Sequence, residues 1–371
     1  MVNQERLLDE FFKMTQISSP SKKEGRFAQY LKLVLEDIGL EVEIDGAGEI
    51  VGGDTGNVIA RLKGNEAYRS LIFSAHMDTV EPCEDIEPII DGKRIISKGD
   101  NILSADDKGG IAAIVEALRV LKENHLPHGN LEVVFTICEE TGMHGAKNLD
   151  VHKLEGELCF IFDSDGKPGT IVKQGPAKDI IKAVVKGIRS HAGLSPEEGV
   201  SAILIAADAV SKMKLLRVDS ETTANIGTFH GTMATNVVCD EVAIIAEARS
   251  LSNEKLDSQT KHMIDCLENS AEKYGGKVEI DVHRSYGAFH LEEEEYGIIL
   301  TKKAVTNLGL QVNLVATGGG SDANILNNMG IPSIDLGIGM TDVHSSKEYI
   351  EINDLVDTTK LVLELIKHAK K

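Results

Sequence analysis

Apolar and polar positions along this chain change period several times, and each change marks an expected element. Over 4–15 and 23–38, apolar residues recur every three or four positions, the spacing of helices with one buried stripe. At 58–62 and 71–75 the pattern shortens to nearly continuous apolar runs, as expected of strands buried on both faces. A helical period returns at 108–122, and apolar runs follow at 131–138 and 158–162. That alternation predicts an α/β fold with a mostly parallel, helix-covered sheet.

The middle of the chain has another order. It reads as strand 180–186, helix 200–214, strands 224–230 and 241–248, helix 254–274 and strand 277–282. This β-α-β-β-α-β sequence of elements is the split-βαβ, or ferredoxin-like, arrangement. The first rhythm then resumes, with a helix at 294–308, a strand at 312–316, a Gly-rich turn and a helix at 322–328. A strand at 333–336 and a helix at 354–369 close the chain. The expected organisation is a discontinuous domain, 1–177 and 287–371, interrupted by an inserted α+β domain at 178–286.

Composition narrows the class. A chain of 371 residues exceeds the size of one ordinary core, so two domains are the default. A formal net charge of -20 argues against nucleic acid or an anionic membrane surface as partner. Five cysteines, at 83, 138, 159, 239 and 266, are an odd number without a C-x-x-C pair, which fits reduced thiols in a cytoplasmic protein. Cys138 and Cys159 lie within apolar runs and read as core residues. The start, Met1-Val2-Asn3-Gln4-Glu5-Arg6, lacks the pattern of a secretion signal, and no run approaches the roughly 20 apolar residues of a membrane span.

Chemistry gathers where the apolar runs stop. Leu71–Ala75 ends in His76-Met77-Asp78, which puts an imidazole and a carboxylate on one face at the C-terminal edge of a strand. In open α/β sheets ligands bind at that edge, and a carboxylate beside an imidazole is how a metal-binding His is oriented. Asp106-Asp107-Lys108-Gly109-Gly110 leads into a helix. One Asp would serve as a cap, so the second carboxylate and the two glycines ask for another reason. Glu139-Glu140 follows the 131–138 run, and such a pair at a buried strand end is costly unless it meets a cation; one ligand and one base is the natural division. Phe160-Ile161-Phe162-Asp163 repeats the strand-then-carboxylate arrangement, and Asp342-Val343-His344 adds a second imidazole. Two imidazoles and several carboxylates, without thiolate, suit zinc, cobalt or manganese in an open site.

With its ordered motifs HMD, ADDKGG, EETG, FDSDG and DVHS, and with the inserted domain, the chain resembles the M20 family of metallopeptidases over nearly its whole length. Within that family it is similar to the peptidase T branch. The resemblance implies a site for two zinc ions, with cobalt or manganese as substitutes. Asp106 would bridge the metals, His76 and Asp163 would complete one, and Glu140 and His344 the other. Asp78 would orient His76, and Glu139 would be the general base. The Asp106–Asp107 peptide bond would be cis. In the inserted domain, His191 of Gly187-Ile188-Arg189-Ser190-His191 would meet the scissile carbonyl, and Asn236 and Arg249 would bind substrate. Arg249 would grip a carboxylate through a bidentate pair. Gly319 and Gly320 belong to a Gly-rich loop without a Walker Lys, which reads as backbone presented to a peptide.

The leading expectation is release of the N-terminal residue from tripeptides. The alternatives are a deacylase or carboxypeptidase of the same chemistry and, from another class, a catalytically silent peptide-binding protein. The intact Glu139 speaks against the last. A homodimer through the inserted domain is a further expectation.

Overall fold

A computed structural model describes all 371 residues. They divide into two compact units, one comprising Met1–Lys173, His290–Ala316 and Ser321–Lys371, the other Gln174–Phe289 with Thr317–Gly320.

The first unit is built on a sheet whose four central strands are parallel. In spatial order these are Leu131–Thr136, Leu71–His76, Leu158–Ser164 and Ser333–Gly337. Antiparallel strands flank them: Val58–Leu62 and then Glu41–Ile44 on one side, Thr170–Gly175 on the other. The two strands Leu71–His76 and Leu131–Thr136 are buried at every position, which is why their sequence shows no alternation. Phe73 stacks on Phe160 across neighbouring strands, with ring centroids 6.0 Å apart. The helix Ala105–Glu123, buried along most of its length, packs on the strands Leu71–His76 and Leu158–Ser164. Its tight seat explains Gly110: a Cβ there would stand 2.4 Å from the Phe162 carbonyl oxygen and 2.5 Å from Asp107 Oδ1.

Short elements fall outside the periodicity reading. A hairpin, Pro88–Asp91 with Arg94–Ser97, is joined by Tyr349–Glu351 into a separate three-stranded sheet. Strands this short carry too few positions for a period to show. The run expected at 131–138 stops as a strand at Thr136, and Cys138 turns the chain with φ 51°.

The second unit has the split-βαβ connectivity. Its antiparallel sheet runs Leu216–Arg217, Thr222–His230, Glu241–Ser250, Ala177–Lys186, Lys277–Tyr286. The helices Ala202–Lys212 and Asn253–Tyr274 pack on this sheet, and every second residue of Ala177–Lys186 is buried. Ile181, Val185, Val242, Ile244, Leu256 and Met263 lie in a core of its own.

Candidate active site

Parallel strands end at the same edge, so the first unit delivers its chemistry to one place. His76 closes its strand, Glu139 and Glu140 follow Thr136, and Asp163 is the penultimate residue of its strand. The helix bearing Asp106 starts at the same edge. Its first turn is irregular: Asp106 has φ -81° and ψ 102°, and the Asp106–Asp107 bond is cis.

The side chains converge around Asp106. His76 Nε2 is 2.9 Å from Asp106 Oδ1, and His344 Nε2 is 3.2 Å from Asp106 Oδ2. Each oxygen of this carboxylate therefore faces a different imidazole. Asp163 Oδ1 stands 3.4 Å from His76 Nε2, and Glu140 Oε1 stands 3.0 Å from His344 Nε2. The ligand atoms of His76, Asp106 and Glu140 lie within 4.8 Å of one another, as do those of His76, Asp107 and Asp163.

Electrostatics follow from burial and crowding. Burial would raise the Asp106 carboxyl, but hydrogen bonds from His344 and His76 outweigh it and hold it below the usual range. Burial would lower His76, yet Asp163, Asp106 and Asp78 bring it well above an ordinary imidazole. Hydrogen bonds to Asp106 and Glu140 lift His344 to about 10. Burial, and after it the charge of Asp163, pushes the Glu139 carboxyl well above the carboxylate range.

Asp78 makes more contacts than the single one expected. His76 Nδ1 lies 2.7 Å from the Asp78 carbonyl oxygen and 3.5 Å from its carboxylate. The fully buried carboxylate also accepts the backbone N–H of Glu139 at 2.8 Å and of Glu140 at 3.2 Å, and the Ser21 hydroxyl at 2.6 Å. It fastens the Glu139-Glu140 turn to the His76 strand. Asp107, which the sequence left without a role, does similar work: its Oδ2 accepts the His76 N–H at 3.1 Å. Asp335, in the middle of an apolar run, accepts the Asp163 N–H at 3.3 Å, and a carboxylate in so apolar a strand was the signal for it.

The other five candidates belong to the second unit. There His191, an exposed residue, accepts the N–H groups of Gly193 and Leu194 at Nδ1, each at 3.1 Å. The Asn236 carbonyl accepts the Ala192 N–H at 2.9 Å, tying those two loops together. Arg249 is engaged side-on by Glu247, at 2.9 Å through Nε, and its Nη1 donates to the Gly318 carbonyl at 3.2 Å. Gly320 packs against Tyr286 so closely that a Cβ would stand 2.3 Å from the ring.

This chain belongs to peptidase family M20/M25/M40, whose model matches residues 72–368. It is similar to an aminopeptidase PepT from Bacillus cereus, with 41% identity, a TM-score of 0.94 and 99% of each chain covered. A tripeptidase from Staphylococcus aureus is 41% identical, with a TM-score of 0.96 over 99% of this chain and 98% of that one. The uncharacterised protein YqjE of Bacillus subtilis is 41% identical over the full length of both chains. No helix is long and apolar enough to cross a membrane.

Proposed function

We propose that this protein is a two-metal aminopeptidase that releases the N-terminal residue of tripeptides. The observation that carries the reading is Asp106, whose two oxygens face His76 at 2.9 Å and His344 at 3.2 Å. A carboxylate flanked in this way by imidazoles and further carboxylates matches the donor set of a centre for two borderline cations such as zinc, with cobalt or manganese as substitutes. Asp106 is assigned as the shared ligand, His76 and Asp163 as the ligands of one ion, Glu140 and His344 as those of the other. Bound there, the ions would polarise the scissile carbonyl and make water acidic enough to attack it.

The remaining roles belong to the chain itself. Glu139 takes the proton from the attacking water and returns it to the nitrogen of the departing amine, a role suited to a carboxyl whose proton affinity burial has raised. Asp78 sets the position of Glu139 through its backbone N–H. His191 is assigned to the scissile carbonyl oxygen. Asn236, Gly319 and Gly320 are assigned to the peptide backbone, and Arg249 to a substrate carboxylate. The likeness to an aminopeptidase and a tripeptidase, each at 41% identity, supports the substrate class.

The test is a panel of free tripeptides, their N-acetylated forms and their C-terminal amides, incubated with zinc- or cobalt-loaded protein. Release of the first residue from free tripeptides, abolished by N-acetylation, is expected. Cleavage that survives N-acetylation would replace this reading with deacylase or carboxypeptidase action. No cleavage of any amide would favour a peptide-binding protein.

A further inference from the structure

The helix that carries Asp106 begins without a cap of its own. Ser104 is the residue type suited to that task, but it has φ 65° and ψ 34° and its side chain makes no capping hydrogen bond. Glu348, far along the chain, takes its place. Its Oε2 accepts the Ser104 N–H at 2.7 Å, and its Oε1 accepts the Asp106 N–H at 2.9 Å across a sequence separation of 242 residues.

This is an expensive way to cap a helix. Glu348 is 1% exposed, and both of its oxygens are spent on backbone N–H groups. A buried carboxylate carries a large desolvation cost that a local serine cap avoids. What the carboxylate adds is a tie between two segments. Glu348 ends a loop closed at its neck by paired backbone bonds between Thr341 and Tyr349, each 3.0 Å. His344 stands in that loop, with φ 61°. One loop therefore grips the Asp106 backbone through Glu348 while presenting His344 Nε2 at 3.2 Å from Asp106 Oδ2.

We propose that Glu348 is a positioning residue for the metal centre: it clamps the Asp106 backbone to the loop of His344 and so sets the separation of those two donors. This rests on the two-metal reading above. Glu348 touches no reacting atom and acts through Asp106 and His344. Glutamine cannot replace it. Its single carbonyl oxygen accepts one of the two N–H groups, and its own NH2 opposes the other.

Metal-free wild type and Glu348→Gln are titrated with Co2+, following heat and the visible absorption of the bound ion. The wild type is expected to take up two equivalents. Glu348→Gln should keep its circular-dichroism spectrum, bind the second equivalent at least about tenfold more weakly and shift the cobalt band, in line with losses seen when groups behind metal ligands are removed. Its kcat for a tripeptide should fall with KM unchanged. His344→Ala should weaken the same equivalent, and adding Glu348→Gln to it should cost little more, because the two changes act on one ligand pair. Unchanged cobalt affinity and spectrum in Glu348→Gln, whatever its melting temperature, would overturn the proposal. If that variant does not fold, Glu348→Asp, one methylene shorter, carries the same prediction. Wild-type protein that takes up no divalent cation would overturn the metal reading itself, and the first titration reports this before any variant is compared.

Discussion

In the proposed reaction Glu139 would move a proton and Asp78 would fix the position of Glu139. Replacing Glu139 by Ala would remove the proposed base and leave the assigned ligands in place. Turnover is expected to fall by about 10²–10⁴-fold, with KM little changed, in steady-state assays on a tripeptide. Asp78→Ala acts differently, because it leaves the N–H groups of Glu139 and Glu140 without their acceptor. We expect it to weaken metal binding or turnover by about 10–100-fold, as removal of such supporting groups does. Its urea midpoint should also drop, reflecting about 1–3 kcal/mol for unpaired buried donors. An Asp78→Ala protein with wild-type turnover and stability would show that the turn holds itself. At this scale the sequence named His76, Asp106, Glu140, Asp163 and His344, which the fold gathers, and said less of what each touches. His76-x-Asp78 reads as a side-chain pair from spacing alone. Only the packed structure, with Glu139 brought beside Asp78 from 61 residues away, turns the carboxylate toward the neighbouring turn.

The helix Ala105–Glu123 is the element on which the site depends, since its first turn carries Asp106 and its next turn presses on the Asp163 strand. Gly110→Ala should therefore cost about 1–3 kcal/mol, because the added methyl meets the Phe162 carbonyl backbone, 2.4 Å away. Gly46→Ala is the control: nothing lies within 4 Å of the added carbon, and its effect should stay within about 0.5 kcal/mol. Equal urea midpoints for the two variants would contradict the close-packing account. Gly109 and Gly110 were legible as more than a cap requires, and the seat of Gly110 against Phe162 supplies a reason. The strand edges were equally legible, since continuous apolar runs ended in ionisable residues. The hairpin Pro88–Ser97 and the clamp at Glu348 were not. The hairpin's strands are four residues each, and Glu348, beside Lys347 and after two serines, looks like part of a solvated turn until the fold buries it.

In the molecule as a whole, carboxylates are gathered where like charges repel, on a chain whose net charge is already -20. A cation bound to the folded state alone stabilises it by mass action, by about 4 kcal/mol per site at a thousandfold excess over Kd. Chelation is therefore expected to lower the melting temperature by several degrees, and added zinc or cobalt to restore it. The α/β class and the split-βαβ insertion followed from the order of elements, which survives small errors in their ends. How the site's donors pair could not follow from order, because it depends on side-chain directions that only the closed loops and the irregular first turn of the Asp106 helix determine. The central claim is that Asp106 serves two metal ions, and metal content tests it most directly. Elemental analysis of zinc-loaded protein should find two ions per chain in the wild type, two in Glu139→Ala and fewer than one in Asp106→Ala with its circular-dichroism spectrum retained. Two ions retained in Asp106→Ala, or a single ion in the wild type, would contradict the account.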